Sequence, residues 1–199
     1  MKSNKELVEH LIGRGVLKTP VIIEAFLSVD RIDFVRENYK DQAYGDYPLP
    51  IGFSQTISQP YTVAFMLELL QPQSNSIVLD VGCGSCYTTA LLASIVKEGK
   101  VIATEIIKEL VEFCKSNLKK YNFSNVEVYH ADKIPEGYAE FDRILVSASA
   151  SRLPNTLTNA LKDGGVMVIP IQHSIFLIKK QNGLLYSEEF PGFAFVRLQ

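Results

Sequence analysis

The feature that most constrains this chain is an alternation that begins near residue 76. Ile77–Val81 is a short apolar run followed by a helical stretch near 87–97, and Val101–Thr104 is followed by another at 106–120. Val126–Tyr129 and Phe141–Ser147 read as two more strands, Pro154–Leu161 as a helix and Gly164–Pro170 as a fifth strand. Short apolar strands alternating with helices imply a parallel sheet covered on both faces. The expected class is therefore α/β, with a Rossmann-like, doubly wound, mostly parallel sheet. Beyond it, Ser174–Lys180, Leu184–Glu189 and Phe193–Leu198 read as strands separated by Asn182-Gly183 and Pro191-Gly192. Such turns permit antiparallel pairing, which predicts an antiparallel C-terminal edge.

Ahead of the alternation, residues 3–12 and 20–28 have helical spacing, with starts at Asn4 and at Thr19-Pro20. Residues 38–60 show no periodicity and hold three prolines. Their apolar members Leu49, Ile51, Phe53 and Ile57 argue for an ordered loop, and Pro60 then opens a helix to about Leu70. The expected organisation is one domain over 1–199. Residues 1–70 supply N-terminal helices and a loop, and 71–199 supply the α/β core.

A chain of 199 residues can bury a substantial single core. Twenty basic against 22 acidic residues give a net charge of −2, which weighs against a reader of phosphate backbones. No apolar run approaches bilayer length, and the first residues lack the apolar stretch of a signal peptide. Three cysteines are few and odd in number, so no disulfide framework is expected. These readings point to a cytoplasmic chain without nucleic-acid or membrane partners. Nothing in the sequence indicates an oligomeric state.

The chemistry concentrates at Asp80-Val-Gly-Cys-Gly-Ser-Cys86, at the carboxyl end of the first strand of the alternation. Ligands of open α/β sheets bind at such ends. Gly82 and Gly84 allow positive φ and close approach of a ligand, with Asp80 and Ser85 flanking them. Glu105 ends the next strand, where a carboxylate can accept from both hydroxyls of a ribose. Asp132, shortly after the third strand, can meet an adenine amino group. A dinucleotide fingerprint would require a further glycine where Tyr87 stands. S-adenosylmethionine carries no phosphate, and the spacing favours it. Cys83 and Cys86 have C-x-x-C spacing, but no second Cys/His pair completes a zinc site, so no metal is expected. Oxidation of that pair would distort the turn. His10, His130 and His173 are scattered and suggest no catalytic histidine.

Ala43-Tyr-Gly-Asp-Tyr-Pro-Leu-Pro-Ile-Gly52 and Gln55-Thr-Ile-Ser-Gln-Pro60 closely resemble the signature of protein-L-isoaspartate O-methyltransferases. Val29–Val35, Phe141–Ala150, Leu161–Gly165, Val168–Pro170 and Phe195–Leu198 resemble further blocks of that family, so the likeness covers nearly the whole chain. The resemblance implies an enzyme that methylates the free α-carboxylate of isoaspartyl residues in proteins or peptides. The ester then cyclises to a succinimide. It assigns the active-site role to Ser58 and a place bordering the methyl donor to Gln55, Thr56 and Ile57. It assigns the turn to Gly82, Gly84 and Ser85, the ribose to Glu105 and the adenine side to Asp132. Backbone N–H groups of Ser147–Ala150 are expected to complete a carboxylate clamp. A plainer role for Ser58 is capping of the helix that Pro60 opens. Cys86 stands where the family has a glycine, so its side chain is expected to narrow the methionine end of the pocket. Two alternatives use the same residues: methylation of another carboxylate or small metabolite, and cofactor binding with little turnover.

Overall fold

The computed structural model describes residues 1–198. Its centre is a seven-stranded sheet in the order β5-β4-β3-β6-β7-β8-β9. These strands are β3 (Ile77–Val81), β4 (Lys100–Glu105), β5 (Val126–His130), β6 (Phe141–Val146), β7 (Leu161–Ile171), β8 (Ser174–Gln181) and β9 (Leu184–Pro191). β5 through β7 pair in parallel, and β8 and β9 each pair antiparallel to their predecessor. The expected α/β class with an antiparallel C-terminal edge is what the chain adopts. The Phe193–Leu198 strand is the exception. Among the described residues this stretch forms no strand and meets the sheet region, just beyond β6, through a parallel bridge between Arg197 and Ser149.

Helices α4 (Tyr87–Ile95), α5 (Lys108–Leu118) and α6 (Asn155–Ala160) follow β3, β4 and β6. Leu91, Leu92 and Ile95 of α4 are fully or almost fully buried. Each such side chain removes apolar surface worth about 1.5–3 kcal/mol. On the N-terminal side lie α1 (Asn4–Gly13), α2 (Pro20–Ser28) and α3 (Pro60–Leu70), whose apolar faces join the same buried cluster. Thr19 precedes α2 at its N-cap with Pro20 at the first helical position, as the sequence indicates. α1 starts at Asn4, as the sequence indicates. Ser3 is the cap and accepts from the Glu6 N–H at 3.2 Å, while the Asn4 amide turns inward to donate to Phe26 O at 2.7 Å.

The stretch without periodicity is more regular than it reads. Two 3-10 turns, Arg31–Phe34 and Glu37–Gln42, lead into a hairpin of β1 (Leu49–Gly52) and β2 (Gln55–Ile57). Its tip places Phe53 and Ser54 at φ 54° and 57°. Hairpin tips of this kind usually carry Asn or Gly, so the sequence gives no turn signal there.

Candidate active site

Hairpin and sheet converge on one cavity of about 640 Å³. Gln55, Thr56, Ile57 and Ser58 line it from the hairpin side. Gly82, Gly84 and Ser85 line it from the turn after β3, and Glu105 and Asp132 from the ends of β4 and β5. Nine of the ten residues singled out from the sequence therefore share one space. Asp80 does not. It is fully buried behind that wall, with Oδ2 accepting from the Thr89 hydroxyl at 2.6 Å and Oδ1 without a partner. Burial pushes its carboxyl up to about 6, a shift that Thr89 opposes and Glu105 reinforces.

The turn is held through its own amides. Gly82 and Cys83 donate to the Thr104 carbonyl at 2.9 and 3.1 Å, and Cys86 donates to Cys83 O at 2.7 Å. Gly84 N–H donates to Glu105 Oε2 at 2.9 Å, while Oε1 accepts from Ile107 N–H at 3.0 Å. A pyrophosphate needs free N–H groups at a helix start. Here the amides of Gly82, Cys83, Gly84 and Cys86 are already engaged, so the turn itself offers few donors to a phosphate. Each Glu105 oxygen keeps a lone pair for a hydroxyl. Gly84 lies at φ 52°, and an added Cβ would meet Ile51 Cδ1 at 3.1 Å, so its lack of a side chain lets hairpin and turn touch.

The cysteine expectations need correction. Cys86 is disulfide-bonded to Cys114 of α5, 28 residues away, and Cys83 is the free, buried thiol. Cys86 does not line the cavity, so its side chain does not narrow the pocket. It turns toward α5 from φ 67°, the left-handed conformation that a glycine would adopt most easily. Burial, with Asp80 and Glu105 nearby, pushes the Cys83 thiol well up. The three sulfurs lie within 4.8 Å of one another, but two of them are bonded together and cannot act as separate thiolate ligands.

Ser58 is half-buried at the cavity wall. It is not the cap of α3. Gln59 holds that position, and the Asp46 carboxylate accepts from Tyr61 N–H at 2.9 Å. The Ser147–Ala150 stretch offers less than expected. Ser147, Ser149 and Ala150 donate to the carbonyls of Val81, Val196 and Pro170, leaving Ala148 as the amide of that stretch to consider.

Arg31, to which the sequence assigns no role, is fully buried beside the site. Its Nη1 donates to Ala43 O at 2.8 Å and Gly45 O at 3.4 Å; its Nη2 donates to Ser58 O at 2.9 Å and Tyr47 O at 3.3 Å. Burial pulls its guanidinium down to about 10, which leaves it charged at neutral pH. The signal available in the sequence was one basic residue between Asp30 and Asp33, among Val29, Ile32, Phe34 and Val35.

The family model for protein-L-isoaspartate(D-aspartate) O-methyltransferase matches residues 2–199. This chain belongs to that family. It is 42% identical over 207 residues to a protein-L-isoaspartate O-methyltransferase of Methanopyrus kandleri, covering 99% of this chain and 91% of the relative. The enzyme of that name from Dictyoglomus turgidum is 43% identical over 201 residues, with 98% and 90% covered. Among solved structures, a Plasmodium falciparum chain assigned to the same activity, in complex with S-adenosyl-L-homocysteine, superposes with a TM-score of 0.91 at 30% identity. That match covers 100% of this chain and 99% of the other.

Proposed function

We propose that this protein transfers a methyl group from S-adenosylmethionine to the free α-carboxylate of L-isoaspartyl residues in damaged proteins or peptides, and that it does so in the cytoplasm. The observation that carries the reading is the shared cavity. A serine without a capping duty stands on its hairpin wall, and a glycine turn whose amides are largely engaged forms another wall.

S-adenosylmethionine supplies an electrophilic methyl on a sulfonium. The residues named above would hold it through complementary contacts. Glu105 would accept from the ribose hydroxyls, Asp132 would accept from the adenine amino group, and Gly82, Gly84 and Ser85 would let the backbone approach closely. Gln55, Thr56 and Ile57 would close the hairpin side.

The acceptor needs no general base. A carboxylate with a pKa near 4 is already ionised and nucleophilic at neutral pH. What the chain must provide is alignment and exclusion of water. Ser58 would donate its hydroxyl proton in a hydrogen bond to one carboxylate oxygen, leaving the other to attack.

The test combines titration with S-adenosylhomocysteine and radiolabelled methyl transfer to an isoaspartyl peptide, with the aspartyl isomer as control. Transfer to the isoaspartyl form alone is expected, and tight binding without transfer would overturn the reading. In Ser58→Ala, kcat should fall by about 100-fold while the S-adenosylhomocysteine Kd stays within about twofold. An unchanged rate would remove Ser58 from the chemistry.

A further inference from the structure

Resting on the Ser58 assignment above, we infer that Arg31 is a positioning residue for the methyl transfer: its guanidinium fixes the Ser58 backbone relative to the near end of the loop. What carries the inference is where its donors go. One terminal nitrogen bonds the carbonyls of Ala43 and Gly45, and the other bonds those of Tyr47 and Ser58. Entry and exit of the hairpin segment therefore meet on one planar group, and the residue at the exit is Ser58.

A merely structural cation would more ordinarily face a carboxylate. Buried charges in proteins are usually paired, since an unpaired one loses its hydration without compensation. Among the described residues no carboxylate lies within 4 Å of Arg31. The nearby Asp46 spends one oxygen on Tyr61 N–H and faces His10 at 3.4 Å with the other. Asp46 favours the charge from a distance, but every hydrogen bond the guanidinium makes goes to a carbonyl, and all four carbonyls belong to the segment that must be held.

The anchor under the guanidinium is itself fixed. Asp30 accepts from Ile32 N–H at 3.1 Å and caps the 3-10 turn, and Phe34 lies 5.5 Å from the Tyr87 ring at the start of α4. Ser58 is thereby referenced to the helix that opens beside the cofactor turn. A guanidinium is suited to this task because its planar fork presents several donors in fixed directions. A lysine ammonium in the same place keeps the charge but cannot reproduce the fork.

Arg31→Lys, Ser58→Ala and the double variant test the idea. Turnover on an isoaspartyl peptide is normalised to the number of S-adenosylhomocysteine sites counted by calorimetry, so any unfolded fraction drops out. Arg31→Lys should lower kcat by at least about tenfold, with the S-adenosylhomocysteine Kd and the KM for S-adenosylmethionine within about twofold. In the Ser58→Ala background the same change should cost less than about twofold, since the hydroxyl it positions is gone. An equal loss in both backgrounds, an unchanged kcat per site, or a parallel loss of cofactor affinity would overturn the positioning. An inert Ser58→Ala would instead overturn the serine's role, and the positioning with it.

Discussion

The hairpin segment and the glycine turn face the same cavity, yet they are fixed by groups of opposite charge. On the hairpin side one buried guanidinium collects four backbone carbonyls. On the turn side one buried carboxylate collects two backbone N–H groups, from Gly84 and Ile107. Holding a loop by its carbonyls leaves its hydroxyls and amides to face an incoming anion. Holding a turn by its amides leaves few donors for a phosphate but keeps carboxylate lone pairs for hydroxyls. In the proposed reaction the two anchors would prepare one wall for a carboxylate and the other for a nucleoside. The turn has a second device that the hairpin lacks, the covalent link from Cys86 to Cys114.

Breaking that link should have the largest effect on stability. A cross-link between residues 28 apart restricts the unfolded chain by about 3–4 kcal/mol in the chain-entropy treatment. Cys114→Ser, or the wild type under a dithiol reductant, should lose stability of that order in urea titrations. A loss below about 1 kcal/mol would mean that packing alone holds the turn.

Asp80 comes next. Its folded value near 6 lies above its ordinary value of 3.8, so the native state binds more protons between those limits. Stability should therefore fall as pH rises from about 4 to about 6, by at most about 3 kcal/mol, and then level off. Asp80→Asn should flatten that slope in urea titrations run across the interval. An unchanged slope would assign it to other groups.

Glu105→Gln tests the anion at the turn. One amide hydrogen would then face a backbone N–H, so the S-adenosylhomocysteine Kd should rise by about 100-fold, or about 2.7 kcal/mol. Calorimetry reads this directly, and a change under about threefold would show that the turn stands without its carboxylate.

The smallest effect belongs to the hairpin tip. Ser54 is exposed at φ 57°, so Ser54→Gly should stabilise the fold by about 0.5–1 kcal/mol with cofactor affinity unchanged. A destabilised variant would show that the hydroxyl, rather than the backbone, matters there.

The same contrast explains what was legible in the sequence. β3, β4 and β6 announce themselves because parallel strands buried on both faces are largely apolar, and the residues at their carboxyl ends follow from that placement. The hairpin was hidden because Phe53 and Ser54 adopt left-handed backbone without the usual residues. The Cys114 partner was hidden because Cys86 has a nearer neighbour in sequence at Cys83, and pairing depends on how α5 docks. Arg31 was hidden because a lone arginine reads as a solvated charge until the carbonyls around it are seen. Ser58 was legible as a residue of interest, but the transfer of capping to Asp46 depends on tertiary contact.

The Cys86–Cys114 bond also changes what a protease can do to this molecule. The closed loop between the two sulfurs contains the exposed Lys97, just before β4. Cleavage after Lys97 by trypsin would sever the backbone without separating the fragments. The nicked chain would migrate as one species on a non-reducing gel and as two once the sulfurs are reduced.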